Sequence, residues 1–426
     1  MNAEGSSSSR VPVPTWKWAV VVMMLLATVI NYMDRAALQS LSEFIKHDFD
    51  LNEEGYGRLE EWFGYSYAVF LIVSGFLADR FSLRWLYAGA LLVWSFAGFA
   101  TGYAGTFRNL LICRVILGAG EAFNWPVAVG TVRRIMPREN QSFANGVFNS
   151  GMTIGAVLMP ALVLMTVNKD TGEGWRSLFK IVGGLGSVWV VFWLLSTRGE
   201  RAAEMTPART VTMAPGSFWS VFGLRTFWIT MAVGIAVNLA WHLYRVWLPR
   251  HLIVDLKFTV KEQQYLLMAY YLVADLGSIV FGYFAKKAIT ASRPVERARK
   301  LVVVTASLVC LSALPALFAP GRWVMFPLYC VVGAGIMGVF CMFYSFVQDI
   351  VPAHTSKCLG LIGATVWFIV SRLHPIIGHF ADTHTPAIGK FVPMLLMAGA
   401  LPLLAALFAL TWPEKKELQR TPEMPA

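Results

Sequence analysis

The feature that most constrains this chain is a run of about twenty residues almost free of charge, which recurs along its whole length. Trp18–Met33, Leu86–Tyr103, Ile181–Ser196, Leu301–Phe318 and Phe391–Trp412 are the clearest copies. As a helix rising about 1.5 Å per residue, each run with a few flanking residues is long enough to cross a hydrocarbon core of ~30 Å. A bilayer offers the backbone no water, so only helices or closed barrels span it, and these runs have the length of helices. Composition agrees: 56% of the 426 residues are apolar and 14% are charged, against roughly 25% charged in soluble domains.

Twelve spans follow, near 17–38, 59–78, 85–104, 107–131, 143–167, 176–196, 225–249, 264–285, 301–318, 323–349, 358–381 and 391–412. A cleaved leader is the competing reading of the N-terminus, because Arg10 and Lys17 precede the first apolar run. That run is long for a leader and would place Asp34-Arg35 at the cut, so it is taken as span 1. The expected organisation is a tail over 1–16, a six-helix bundle over 17–196, a polar linker over 197–217 with Pro207 and Pro215, a second bundle over 218–413, and a tail over 414–426.

The net charge of +11 raises the question of nucleic acid. No basic block is interleaved with aromatics in a soluble segment, so no nucleic-acid role is expected. The Lys and Arg residues instead concentrate in the loops on the side of the termini, which by the positive-inside rule puts both termini in the cytoplasm of a plasma (inner) membrane protein. Cys113, Cys310, Cys330, Cys341 and Cys358 lie in or beside apolar runs without paired or metal-type spacing, and read as small core residues.

Internal repetition is the next signal. Gly75-Phe-Leu-Ala-Asp79-Arg80 ends span 2, and Gly282-Tyr-Phe-Ala-Lys286-Lys287 ends span 8, half a chain later. Duplicated six-helix halves are a common way to build a carrier. Gly75-x-x-x-Asp79-Arg80-x-x-x-Arg84 resembles the loop 2–3 signature of the major facilitator superfamily. More narrowly, Asn31-Tyr32-Met33-Asp34-Arg35 in span 1, Arg114-x-x-x-Gly118-x-Gly120-Glu121-Ala122 with Asn124-Trp125-Pro126 in span 4, and Phe148-Asn149-Ser150-Gly151 in span 5 are similar to its anion:cation symporter family. That family includes bacterial hexuronate and hexonate carriers. The likeness is close over roughly residues 16–196 and in outline beyond, where Trp247-Leu248-Pro249 and Ala274-Asp275-Leu276-Gly277 match best. The sequence departs from the pattern at Ser82, at Lys286, and in span 11 at Trp367, Arg372 and His374.

The residues speak for themselves as well. An ionisable group inside a span costs at least ~2.5–3.5 kcal/mol, so each is a functional candidate. Asp34, Arg35, Arg114, Glu121, Arg245, Asp275 and Arg372 qualify, and the surplus of arginine suits a carboxylate, which guanidinium grips in a bidentate fork. Arg114 and Glu121 are two turns apart on one face of span 4, and Asn124 is expected one turn further on it. Burial favours a protonated carboxyl and a nearby arginine an ionised one, so a carboxyl whose surroundings alternate can carry a proton. Asp34 and Glu121 are the candidates for that role. A structural ion pair that holds spans 1 and 4 together, such as Asp34 with Arg114, is the bland alternative.

The resemblance implies the same two protonation positions and gives substrate-carboxylate binding to Arg35, with Tyr67 as the family's substrate tyrosine. Tyr32, Tyr67, Arg114, Asn124, Asn149, His242 and Arg245 complete the expected binding set, although aromatics are also common packing residues and Asn also joins helices. His242 and Arg245 share a face of span 7; Arg245 could instead snorkel to the interface near Pro249. Asp79, Arg80 and Arg84 are expected in a structural or gating latch beside Arg133 and Arg134, and Asp275 and Arg372 in a pair between spans 8 and 11.

No phosphate loop, zinc pair or nucleophile elbow is present, and Gly183-Gly184-x-Gly186 sits in an apolar span as helix packing. The expectation is therefore an all-α membrane protein, not an enzyme, with no metal or cofactor. It is expected to move a small organic anion, above all a sugar acid such as glucuronate, galacturonate or a hexonate, by symport with a proton. The membrane lipids surround it, and a monomer is expected. A carrier of another anion, an exporter and a non-transporting receptor are the rivals; the absence of an adjacent glycine-proline after Gly151-x-x-x-Gly155 argues against efflux.

Overall fold

The computed structural model describes residues 13–206, 218–290, 294–319, 321–350, 355–384 and 388–413. Most of the 197–217 linker and both tails lie outside the described residues, and among those described every regular element is helical. Among the described residues, twelve helices are long and apolar enough to cross a membrane: α1 (Thr15–Ser40), α2 (Glu53–Ala78), α3 (Leu83–Thr101), α4 (Phe107–Ile135), α5 (Phe143–Thr166), α6 (Trp175–Ser196), α7 (Arg225–Val254), α8 (Val260–Ile289), α9 (Val295–Ala316), α10 (Arg322–Val347), α11 (Cys358–Thr383) and α12 (Val392–Leu410). Each coincides with an expected span.

The clearest shift is at α2, which begins at Glu53 rather than near residue 59. Asn52 starts it: its side chain accepts from the Gly55 N–H at 2.8 Å, and Glu53 and Glu54 in the first turn complement the positive end of the helix. Two spans are broken. In α4 one helix ends at Glu121 and the next begins at Asn124; in α5 the break falls between Asn149 and Gly151.

Twelve crossings among the described residues leave the start of α1 and the end of α12 on one face, called proximal here, with the distal face opposite. In the first half α1 packs on α5, α2 on α4 and α3 on α6; in the second, α7 packs on α12 and α10 on both α8 and α9. The halves meet along α2–α11 and α5–α8. The α2–α11 contact brings backbone onto backbone: a Cβ at Gly57 would stand 2.5 Å from the His374 carbonyl oxygen, closer than real contacts come. Gly183 and Gly186 pack α6 against α3 in the same way, a Cβ at Gly183 lying 2.6 Å from the Ser95 carbonyl. Outward faces carry large exposed apolar side chains such as Phe76, Phe96, Val191 and Ile279, as a surface in contact with lipid requires.

Candidate functional site

Between the halves, α1, α2, α4 and α7 bring a layer of charge into the apolar interior. Asp34, Glu60 and Glu121 face Arg35, Arg114 and Arg245, and none of the six is more than 6% exposed. The shortest link is between α1 and α4: Arg35 Nε donates to Glu121 Oε2 at 2.5 Å. Glu121 Oε1 and Arg35 Nη2 have no hydrogen-bond partner. The guanidinium of Arg35 also lies 4.7 Å from the ring centre of Tyr67, 5.4 Å from Tyr32, 5.5 Å from Phe63 and 5.6 Å from Trp367. Such an aromatic box holds a desolvated cation in place.

Asp34, one residue before Arg35, is fully buried and neither carboxyl oxygen has a hydrogen-bond partner. Gly98 of α3 makes room for it, since a Cβ there would sit 2.9 Å from Asp34 Oδ1. The Asp34–Arg114 pair is not what forms; the ion pair that joins spans 1 and 4 is Arg35–Glu121. Arg114 stacks on Phe63 at 4.4 Å and turns toward Glu60 at 3.7 Å.

Glu60 of α2 was not among the residues singled out in the sequence. Gln39 Nε2 donates to its Oε1 at 2.7 Å, and Arg245 Nη2 reaches within 3.5 Å of its Oε2. Arg245, 5% exposed, therefore points inward and does not snorkel. Its Nη2 lies 3.5 Å from His242 Nδ1, and the His242 ring is 4.3 Å from that of Trp367. A cavity of about 10 Å³, lined by Tyr32, Arg35, Gln39, Trp241, Arg245 and Tyr271 among others, lies at the meeting of the two halves.

Several expected residues stand elsewhere. Asn124 accepts from the Tyr87 hydroxyl at 2.6 Å and donates to Thr28 Oγ1 at 3.3 Å. Its amide ties α1, α3 and α4 together instead of facing the charged layer. The break after Glu121 is the reason, because it ends the helical phase that put Asn124 on the face of Arg114. Asn149 lies at the break in α5, half-buried, with its Oδ1 unpartnered. The Asp275–Arg372 pair does not form: Arg372 is 63% exposed and meets Glu61 at 3.3 Å, and Asp275 has no ion pair among the described residues. Arg84 donates to Thr197 Oγ1 at 3.2 Å and to the Leu194 carbonyl at 3.1 Å, joining α3 to the end of α6. Arg80, exposed, is the last residue of the helix that continues beyond the α2 span, and the Asp79 side chain lies outside the described residues. His374 takes a hydrogen bond from Trp247 Nε1 at 3.2 Å.

The distal face is latched across the halves. Arg250 of α7 reaches Glu53 with Nε at 3.0 Å and Nη2 at 2.5 Å, and Glu43 with Nη1. Asp382 of α11 accepts from the Glu53 and Glu54 N–H groups at 3.0 and 2.9 Å. Beside them Asp255 accepts from His251 Nδ1 at 2.8 Å and from the Lys390 and Phe391 N–H groups at 2.9 Å each. Burial disfavours its charge, but the His251 bond and then the backbone bonds outweigh that and hold the Asp255 carboxyl below its ordinary range.

Twelve crossings in two groups around a buried, nearly balanced layer of arginine and carboxylate define a multi-pass membrane carrier. The family model described as Major Facilitator Superfamily matches residues 24–375, and the chain belongs to that superfamily, a family of transporters and not of enzymes. It is 25% identical over 408 residues to the hexuronate transporter of Bacillus subtilis (strain 168), covering 92% of this chain and 93% of that one. It is 24% identical over 422 residues to the probable galactarate/D-glucarate transporter of the same organism, covering 92% and 90%. Its fold matches the solved D-xylose-proton symporter with a TM-score of 0.73 at 14% identity, over 94% of this chain and 98% of that one.

Proposed function

We propose that the chain is a proton-coupled symporter of a sugar acid, such as glucuronate, galacturonate or a hexonate, working by alternating access in the inner membrane with both termini cytoplasmic. The observation that carries this reading is the buried Arg35–Glu121 contact at 2.5 Å, with Asp34 unpartnered beside it. As long as Glu121 is ionised it occupies the guanidinium that a substrate carboxylate needs. A proton on Glu121 ends that competition, and Arg35 becomes free to grip the incoming anion. Proton and anion therefore enter together, which is the requirement of symport. Asp34 lies within electrostatic reach of Glu121, Arg114 and Arg35 and is the second station for the proton.

Tyr32, Tyr67 and His242 around Arg35 offer polar groups on aromatic walls to the sugar hydroxyls, and the Lys and Arg excess on the side of the termini supports the orientation. The names of the relatives support a sugar acid. In the latched arrangement the distal face is closed, so the anion leaves toward the proximal side. Purified protein in proteoliposomes is expected to accumulate a radiolabelled hexuronate or hexonate when the outside is made acidic, and to stop when the gradient is collapsed. Absence of gradient-driven uptake for every sugar acid, in protein shown to be folded, overturns the proposal.

A further inference from the structure

We infer that Glu60 is the specificity-determining residue that sets the substrate's charge at one, by acting as a resident counter-anion for Arg114 and Arg245. The inference rests on the symport reading above but concerns a residue that plays no part in it. Glu60 is 1% exposed and stands between the two arginines, at 3.7 Å from Arg114 Nη2 and 3.5 Å from Arg245 Nη2. These separations exceed a direct N–H···O bond. Accordingly Glu60 Oε2, Arg114 Nε and Nη2, and Arg245 Nε and Nη1 are buried without hydrogen-bond partners. Donors so placed are a site built for a carboxylate, and Glu60 holds it from within.

The charge balance follows. With every group ionised, Arg35, Arg114 and Arg245 cancel Asp34, Glu60 and Glu121. One proton on Asp34 or Glu121 leaves a single positive charge, which one carboxylate neutralises. A second carboxylate on the same substrate would be a buried, uncompensated anion, which the interior disfavours strongly. Arg35 and Arg245 line the same cavity, which in this closed arrangement has room for about one water; a sugar acid admitted when the halves part and held at Arg35 by its carboxylate has Arg245 near its other end. Glu60 has already neutralised that end, so it accepts hydroxyls and rejects a second carboxylate.

The experiment compares the wild-type protein with Glu60→Gln for binding of sugar acids in matched pairs, one carboxylate against two on the same carbon skeleton. Simple mono- and dicarboxylates are included, and binding is read by thermal shift and isothermal titration at fixed pH. Wild type is expected to favour the monoacids, and Glu60→Gln to move the diacid-to-monoacid affinity ratio by at least about tenfold toward diacids. Should Glu60→Gln not fold, Arg245→Gln tests the same balance from the other side. It leaves one negative charge in excess, so the slope of log Kd against pH for a monoacid steepens from about one to about two. An unchanged ratio in Glu60→Gln, an unchanged slope in Arg245→Gln, or no carboxylate bound by any protein overturns the inference. Loss of every sugar acid with the charge preference intact among simple carboxylates overturns the sugar-acid reading alone.

Discussion

The distal latch makes a quantitative demand on Arg250. In the latched state its guanidinium is 2% exposed and makes two hydrogen bonds to Glu53 and one to Glu43, both in the other half of the protein. When the distal face opens, all three partners regain water. Each hydrogen bond between charged groups contributes ~1.5–3 kcal/mol. The contact with the partly exposed Glu43 is worth less, since water competes there, and Lys46 remains beside Glu53 as a substitute cation. Arg250→Gln is therefore expected to remove ~2 kcal/mol from the latched state relative to the open one, a shift of about 30-fold in their ratio. A cysteine at Ser40 reads this out, because Ser40 is 3% exposed and its carbonyl accepts from Gln264 of α8 at 3.1 Å across the halves. In detergent, Ser40→Cys should react with a polar maleimide about 30 times faster in the Arg250→Gln background, with the native buried cysteines as the internal control. An unchanged rate in folded protein would show that Arg250 holds nothing shut.

Other substitutions separate the roles further. Glu121→Gln is expected to abolish proton-driven accumulation while substrate exchange stays measurable, whereas Arg35→Ala should remove binding itself; loss of both functions in Glu121→Gln would mark it as a structural pair. Asn124→Ala should lower stability by ~1–3 kcal/mol through the bonds it makes to Tyr87 and Thr28 and leave substrate affinity within about twofold, and a large affinity change with intact stability would contradict its placement. Asp255 has a folded-state carboxyl held below its ordinary range, so its contribution is full above the unfolded pKa near ~3.9 and is lost as pH falls through the lower folded value. Asp255→Asn should accordingly be less stable at neutral pH by ~1–3 kcal/mol, with the gap to wild type closing only on strong acidification. A gap that is constant with pH would exclude the carboxylate's charge as its source.

The sequence made the spans legible because membrane thickness sets their length, and hydrophobicity reports it locally. It also made Asp34, Arg35, Arg114, Glu121 and Arg245 legible, because charge inside such a span is conspicuous. Glu60 escaped for a related reason: it sits with Arg58 and Glu61 at the edge of an apolar run, where acids ordinarily face water. One signal was available, since Glu60 and Tyr67 are two turns apart and share a face of α2. Asn124 falls off the face of Arg114 because the helix breaks at Ala122 and Phe123, a break that residue spacing alone does not register. The proposed Asp275–Arg372 pair failed because contacts between spans depend on the rotation of each helix about its axis, which a run of apolar residues does not specify. The latch was invisible for the same reason, joining Glu53 to Arg250 and Asp382 across distant stretches of chain.

The hydrogen bonds from Asp382 to the first amides of α2 have a consequence for how the protein is timed. A carboxylate from one half accepts from the first two amides of a helix in the other, so the two halves cannot part without taking that acceptor from them, while Asn52 still caps Gly55. The Glu53 and Glu54 amide hydrogens are then shielded in one state and free to exchange in the other. Under the alternating access proposed above, each opening of the distal face would expose them, and their exchange with deuterated solvent would report that opening without any added probe.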